Sequence, residues 1–298
     1  MFWTNYHSHC SYCDGAEPIE NYIREAVSMG MHAYGVSSHG PVPFELDWSI
    51  RQERIGEYLA DIQRLQTEWQ NHIEIYAGLE IDFIPGLSWW DQIGPQYREL
   101  DYVIGSVHLV DTFDDGQPWE VDGDHAVFRE GLKQIFKGDA RAAVTRYYEL
   151  VRWMVMLENP DIVGHLDKIK IQNIGGQYFS ETDSWYRQEI EKTLKVIANM
   201  GAIVEINTRG LYSGKTLDLY PSQWVLERIH ALGIPITLNS DAHRPEELTA
   251  GFEFASQILR NIGFKKLTIL RDGKWRQVSF NDDGLDVHWR SKGESQSA

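Results

Sequence analysis

At 298 residues the chain is long for an ordinary domain and usual for one α/β barrel, so one domain spanning 1–280 with one large core is expected. Hydrophobic residues at 42% and eleven tryptophans supply that core, and two cysteines, Cys10 and Cys13, are too few for a disulfide framework, which points to a reduced, cytoplasmic setting. A formal charge of -16 repels polyanions and disfavours nucleic acid as a partner, while the lack of a basic, apolar leader or a long apolar run argues against export and a membrane.

Residues 1–7 read as a buried strand followed by a turn at Asp14-Gly15. Strand alternation places His7 and His9 on one face, where both can grip one ion. Pro18 starts a helix to about residue 28, and Gly30 ends it. A second strand, 33–38, delivers His39 at its end. After a loop with Pro41 and Pro43, Ser49 and Gln52 form a capping-box pattern that opens a helix to residue 70. In the third strand, 73–83, Ile75, Ala77 and Leu79 lie opposite Glu80 and Asp82. Residues 88–100 are helical in part, and the fourth strand, 101–107, ends in His108.

The longest polar loop, 111–124, carries Asp111, Asp114, Asp115, Glu120, Asp122 and Asp124. Helices follow at 126–136 and 140–157, the second capped by Asp139. A short fifth strand, 162–164, hands over to His165. A helix over 184–200 stops at Gly201, and the sixth strand, 202–207, presents Glu205 and Asn207 on one face before Arg209. Ser222 caps a helix to 232, and the seventh strand, 235–239, runs into Ser240-Asp241-Ala242-His243. A helix over 252–262, a strand over 266–270, a turn at Asp272-Gly273 and a strand over 275–280 follow, and 281–298 read as a disordered tail.

Strand and helix thus alternate at least seven times, the pattern of parallel strands with helical crossovers. His7/His9, His39, Glu80, His108, His165 and Asp241/His243 each fall at the carboxyl end of a separate strand, where a barrel keeps its active site. One histidine at a strand end is usually a hydrogen-bonded structural residue; six, in step with two carboxylates, point to a metal site. His32, His72, His125, His230 and His288 fall in helices, loops or the tail. Asp14 suits ordinary turn chemistry, yet lies five residues past His9 and is counted as a ligand. One Cys-x-x-Cys pair, Cys10 and Cys13, is weak evidence for metal or redox work. Arg209 would be the only cation at the mouth on its side, matching a phosphate dianion, with a surface salt bridge as the plainer alternative. Lys168 is a further candidate for substrate binding.

The segments YHSHCSYCDG, SSHG, AGLEIDF, DYVIGSVH, DIVGHLD, EINTRG and LNSDAH, spread over residues 6–243, resemble the PHP (polymerase and histidinol phosphatase) metallohydrolases, and among them the histidinol-phosphatase branch. The resemblance implies a distorted (β/α)7 barrel, two or three divalent ions (zinc, manganese or iron) and phosphate-ester hydrolysis. It implies that His7, His9, Glu80 and Asp241 hold one ion, that Glu80 bridges to a second held with His108 and His165, and that Asp14, His39 and His243 hold a third. Arg209 falls where members of the branch place a phosphate-contacting arginine. Residues 210–219 and 111–124 depart from the family's wording, so the contacts to the organic half of a substrate do not carry over.

The expected chemistry is in-line attack on phosphorus by a hydroxide shared between two metals, with Arg209 balancing charge and His243 or a water protonating the leaving oxygen. L-histidinol phosphate is the expected substrate, its cationic groups drawn to Glu45, Asp47, Asp111, Asp114 and Asp115. The alternatives are a broader phosphoesterase on nucleotides or other small phosphorylated metabolites, and a non-catalytic metal-binding module.

Overall fold

The computed structural model describes residues 2–286. α1 (Ile19–Ser28) starts directly after Pro18 and buries Ile19, Tyr22, Ile23 and Ala26, a stripe at helical spacing, before Gly30 turns the chain at φ 74°. β1 (Ala33–Val36) follows. α2 (Ile55–Trp69) opens through a 3-10 turn at Gln52–Arg54, and Ser49 does not cap it. The Ser49 hydroxyl turns back to the Leu46 carbonyl, and the Gln52 amide donates to the Ile93 carbonyl at 3.1 Å, so both halves of the expected capping box are engaged elsewhere.

β2 (Glu74–Asp82), α3 (Trp89–Ile93) and β3 (Tyr102–Ser106) come next, with Ser88 capping α3 through its hydroxyl. The stretch expected to be a polar loop contains an antiparallel hairpin of β4 (Leu109–Thr112) and β5 (Pro118–Glu120). Trp119 pulls the hairpin inward, buried against Phe128 and Phe136 with ring centroids 5.1 and 5.3 Å away. α4 (His125–Gln134) and α5 (Ala140–Leu157) are capped by the carboxylates of Asp124 and Asp139. After β6 (Ile162–Val163), α6 (Ser184–Met200) ends at Gly201 in the left-handed conformation. β7 (Ile203–Asn207), α7 (Arg209–Tyr212), α8 (Gln223–Leu232), β8 (Ile236–Asn239) and α9 (Phe252–Ile262) lead to the last strands, β9 (Lys266–Arg271), β10 (Lys274–Asn281) and β11 (Gly284–Leu285).

One parallel sheet runs β1-β2-β3-β6-β7-β8. Its two edges are joined by the N-terminal segment, in which Asn5 bridges Tyr34 of β1 and Ser8 bridges Ala242 just past β8. The Gly35 and Ser37 amides donate to the carbonyls of Asn5 and Ser8 at 2.9 and 3.0 Å, and the Ala242 amide donates to the His7 carbonyl at 3.2 Å. The expected first strand is therefore a series of single bridges, where a continuous ladder was anticipated. Side-chain oxygens fill the gaps: the Tyr6 amide donates to Asn239 Oδ1 at 2.8 Å and the Ser8 amide to Ser37 Oγ at 3.1 Å. The result is a distorted (β/α)7 barrel, its seventh stave stitched in by polar side chains.

The β9–β10 hairpin covers the end of the barrel where the strands begin. The Trp275 indole donates to Asp161, the residue before β6, and its ring meets Tyr6 and Tyr102 edge-on at 5.5 and 6.2 Å. Beneath the site, the Tyr102 hydroxyl donates to the Tyr6 carbonyl at 2.6 Å, and Gly35 and Gly78 give its ring room that a Cβ would occupy. Asn281 completes β10, and Leu285 bridges Phe2, so 281–286 belong to the fold and not to a tail. The remainder of the expected tail, 287–298, lies outside the described residues. Among the described residues no helix is long and apolar enough to cross a membrane.

Candidate metal centre

Because β2 alternates, Glu80 and Asp82 leave it on one face, and Glu80 becomes the hub of the open end of the barrel. It is 1% exposed. Its Oε2 lies 3.1 Å from His7 Nε2, 3.0 Å from His39 Nδ1 and 3.5 Å from His9 Nε2. Its Oε1 lies 2.8 Å from His165 Nε2 and 3.7 Å from His108 Nε2, and accepts the Ser106 hydroxyl at 2.6 Å. Asp241 faces it from past β8, with Oδ1 3.1 Å from His9 Nε2 and 3.7 Å from His7 Nε2. Asp14 Oδ2 lies 3.1 Å from His243 Nε2.

All nine residues singled out as ligands in the sequence are brought together. They form four overlapping clusters, His9/Asp14/His39/His243, His7/Glu80/His165, His7/His9/Asp241 and His39/Glu80/His108, in each of which the ligand atoms lie within 4.8 Å of one another. His7 Nε2, His9 Nε2 and His39 Nδ1 are buried without a hydrogen-bond partner, although a buried polar atom normally has one. Imidazole lone pairs aimed into space walled by carboxylates fit a divalent cation of the zinc, manganese or iron type.

A second layer fixes the rings. Glu205 Oε1 is 2.6 Å from His7 Nδ1, which turns Nε2 toward Glu80, and Asp82 holds His108 Nδ1 at 3.1 Å. Glu205 is itself anchored by the Asn239 amide at 3.0 Å and by the His165 backbone amide at 2.8 Å. Asp82 and Glu205 are thus orienting residues. Their signal in the sequence is the i, i+2 step from Glu80 and to Asn207.

Protons on His7 and His108 offset part of the carboxylate charge when no cation is present. Burial opposes a charge on His7, but Glu205, Glu80 and Asp241 outweigh it and raise its pKa well above the usual imidazole value. His108, also opposed by burial, is pushed up to about 10 by Asp82, Asp122 and Glu80. His9 goes the other way, down to about 3, through burial and then the neighbouring His243 and His39. Burial favours neutral Glu80 and Asp241, yet the histidines hold both well below the carboxylate range.

Above the clusters opens a cavity of about 230 Å³. Lys168, Arg209 and Lys215 reach it from the segments after β6 and β7, so Arg209 is not the sole cation on its side. Lys168 is 7% exposed with its Nζ 3.3 Å from Asp122 Oδ2. Arg209 donates to the Asp241 carbonyl at 2.9 Å and to the Tyr212 hydroxyl at 3.3 Å. Burial, and then repulsion from Lys168 and Arg209, depress the Lys215 pKa, as expected of cations converging on one anion site.

Trp48, Glu120 and Asp122 also line the cavity. The carboxylates expected to meet a cationic substrate, Glu45, Asp47, Asp111, Asp114 and Asp115, are instead solvent-exposed and absent from its lining. Hairpin geometry explains the exchange: Asp114 and Asp115 sit at the tip, whereas Glu120 and Asp122 sit at its foot beside the site. Cys10 and Cys13 are free thiols outside the four clusters, Cys10 Sγ 3.2 Å from Ser38 Oγ and Cys13 Sγ 3.6 Å from His9 Nδ1.

Comparison with known proteins agrees with this architecture. Residues 5–209 match the PHP domain family model. The chain is 29% identical over 267 residues to the Deinococcus radiodurans protein named "Probable histidinol-phosphatase", covering 88% of this chain and 94% of that protein. It is 24% identical over 265 residues to histidinol-phosphatase of Bacillus subtilis, covering 83% and 96%. Among solved structures it resembles histidinol phosphate phosphatase of Lactococcus lactis in complex with zinc, L-histidinol and phosphate, with a TM-score of 0.67, 25% identity, and 96% and 99% of the two chains covered. The chain belongs to the PHP domain family.

Proposed function

We propose that this chain is a divalent-metal-dependent phosphatase that hydrolyses L-histidinol phosphate to L-histidinol and phosphate. The observation that carries the reading is the convergence of nine imidazole and carboxylate donors beneath a cavity with three cationic side chains, in a chain similar along most of its length to histidinol-phosphatases. The Lactococcus relative binds L-histidinol and phosphate together with zinc. A reduced, cytoplasmic setting suits the two free thiols.

In this reading His7, His9, Glu80 and Asp241 would hold one ion, Glu80 with His108 and His165 a second, and Asp14, His39 and His243 a third. When bound, such ions would supply Lewis acidity and lower the pKa of a bound water toward about 7. Glu205 and Asp82 keep the His7 and His108 rings in the tautomer that presents Nε2. Lys168, Arg209 and Lys215 bind and orient the phosphoryl oxygens, Arg209 held in place by the Asp241 carbonyl. His243 Nδ1 lies 3.0 Å from the Asp241 carbonyl oxygen, which leaves Nε2 either to join Asp14 as a ligand or, protonated, to hand a proton to the leaving oxygen. Its grouping with His9, Asp14 and His39 favours the ligand role.

The reading is tested by phosphate release from a panel of L-histidinol phosphate, nucleoside monophosphates and sugar phosphates, with and without manganese or zinc. Selective, metal-dependent release from L-histidinol phosphate is expected. A flat profile across the panel would replace it with a broad phosphoesterase.

A further inference from the structure

We infer that Glu120, seated against Trp48, is the receptor for the positively charged group of the substrate and sets selectivity for cationic phosphate monoesters. This rests on the phosphatase reading and names the residue that recognises the organic half. The cavity is polarised. Three cations reach it from the segments after β6 and β7, Trp48 and Glu120 reach it from the loop after β1 and from the β4–β5 hairpin, and Asp122 is paired with Lys168. A molecule anionic at one end and cationic at the other is complementary to it.

The two acids are not equivalent. Asp122 is already paired with Lys168. Glu120 has no Lys or Arg within ion-pair distance among the described residues. Its Oε1 accepts only a long bond, 3.4 Å, from the Trp48 indole N–H, and its Oε2 lies where a Cβ on residue 123 would come within 3.0 Å, a position kept open by Gly123. Glu120 is half-buried on the cavity wall and carries one long, neutral donor, so a cationic group entering the cavity can pair with it. Burial, and then the nearby Asp122 charge, raise the Glu120 pKa, a cost that an adjoining cation would offset.

Trp48 ties this receptor to the reaction centre. Its ring meets His39 edge-on at 4.7 Å and His108 at 5.9 Å, so a phosphoryl group over the clusters places the adjoining organic portion beside Trp48 and Glu120. An indole beside a carboxylate suits an ammonium or a protonated imidazole, which gains from both the charge and the ring.

The test compares the metal-loaded wild type with Glu120→Gln on L-histidinol phosphate and on p-nitrophenyl phosphate, which has the phosphate but no cation. A loss of roughly 10- to 100-fold in kcat/KM is expected for L-histidinol phosphate, mostly through KM, with the p-nitrophenyl phosphate value within about 2-fold and metal content unchanged. Parallel losses on both substrates, or no loss on either, would overturn the inference. Failure of the parent reading looks different: the wild type itself would turn over p-nitrophenyl phosphate and not L-histidinol phosphate. In that event O-phosphoethanolamine serves as the cationic probe, and Glu120→Gln must lose selectivity for it over p-nitrophenyl phosphate for Glu120 to stand as the receptor.

Discussion

At the scale of single residues the centre is a competition between protons and cations for the same imidazole lone pairs. His108 titrates near 6.5 in an unfolded chain, and Asp82, Asp122 and Glu80 push it to about 10 in the ion-free fold. A folded pKa raised above its unfolded value gives stability that is fully present below about 6.5 and lost as pH rises through about 10. The ion-free protein should therefore lose thermal stability between pH 7 and pH 10, and added manganese or zinc should reduce that loss by replacing the proton. Melting curves at both pH values, with and without metal, read it out; a flat pH response of the ion-free protein would show that His108 is not protonated in the fold. His7/His9 and Asp241/His243 were legible in the sequence because an i, i+2 pair at a strand end declares its face. Trp48, Glu120 and Lys215 were not, because each lies in a loop or at a hairpin foot, where side-chain direction follows tertiary packing and not a period.

Among the elements, the segment that brings Lys215 to the cavity is held by a buried strut. Lys170 Nζ donates to the Leu219 carbonyl and the Ser222 hydroxyl, both at 2.6 Å, and lies 3.0 Å from Asp167 Oδ2, which also accepts the Ser222 amide at 2.9 Å. Burial still lifts the Asp167 pKa to about 6 despite the Lys170 charge beside it. Lys170→Met would leave that carboxylate buried and unpaired, at a cost of about 3–5 kcal/mol. Urea unfolding should show the loss, together with a raised KM for phosphate monoesters as the Lys215 segment loosens; a change below about 1 kcal/mol would mean the strut bears little of the fold's stability. The same strut explains why Ser222, a good cap by sequence, makes no side-chain bond to α8. Helices bounded by local signals, such as α6 with Gly201 at its end, were readable nearly to the residue. The hairpin was not, because its exposed acids obscured the buried Pro118 and Trp119.

Across the whole molecule, function depends on closing the barrel. His7 and His9 reach Glu80 only because the N-terminal segment lies between β1 and the end of β8, and the aromatic floor of Tyr6, Tyr102 and Trp275 fills the barrel beneath them. The alternation of strands and helices made this architecture legible, whereas the polar side chains that stitch Asn5 to Ser8 in place could be recognised only once their neighbours were known. In the proposed site, ligation by Asp14, Glu80 and Asp241 would offset part of the formal charge of -16. The most direct test strips the protein with a chelator, then titrates manganese or zinc back while recording ions bound per chain and phosphate released from L-histidinol phosphate. Release should vanish on stripping and return in step with binding, saturating at two or three ions per chain. Undiminished release from protein with no ion bound would contradict a metal-dependent site.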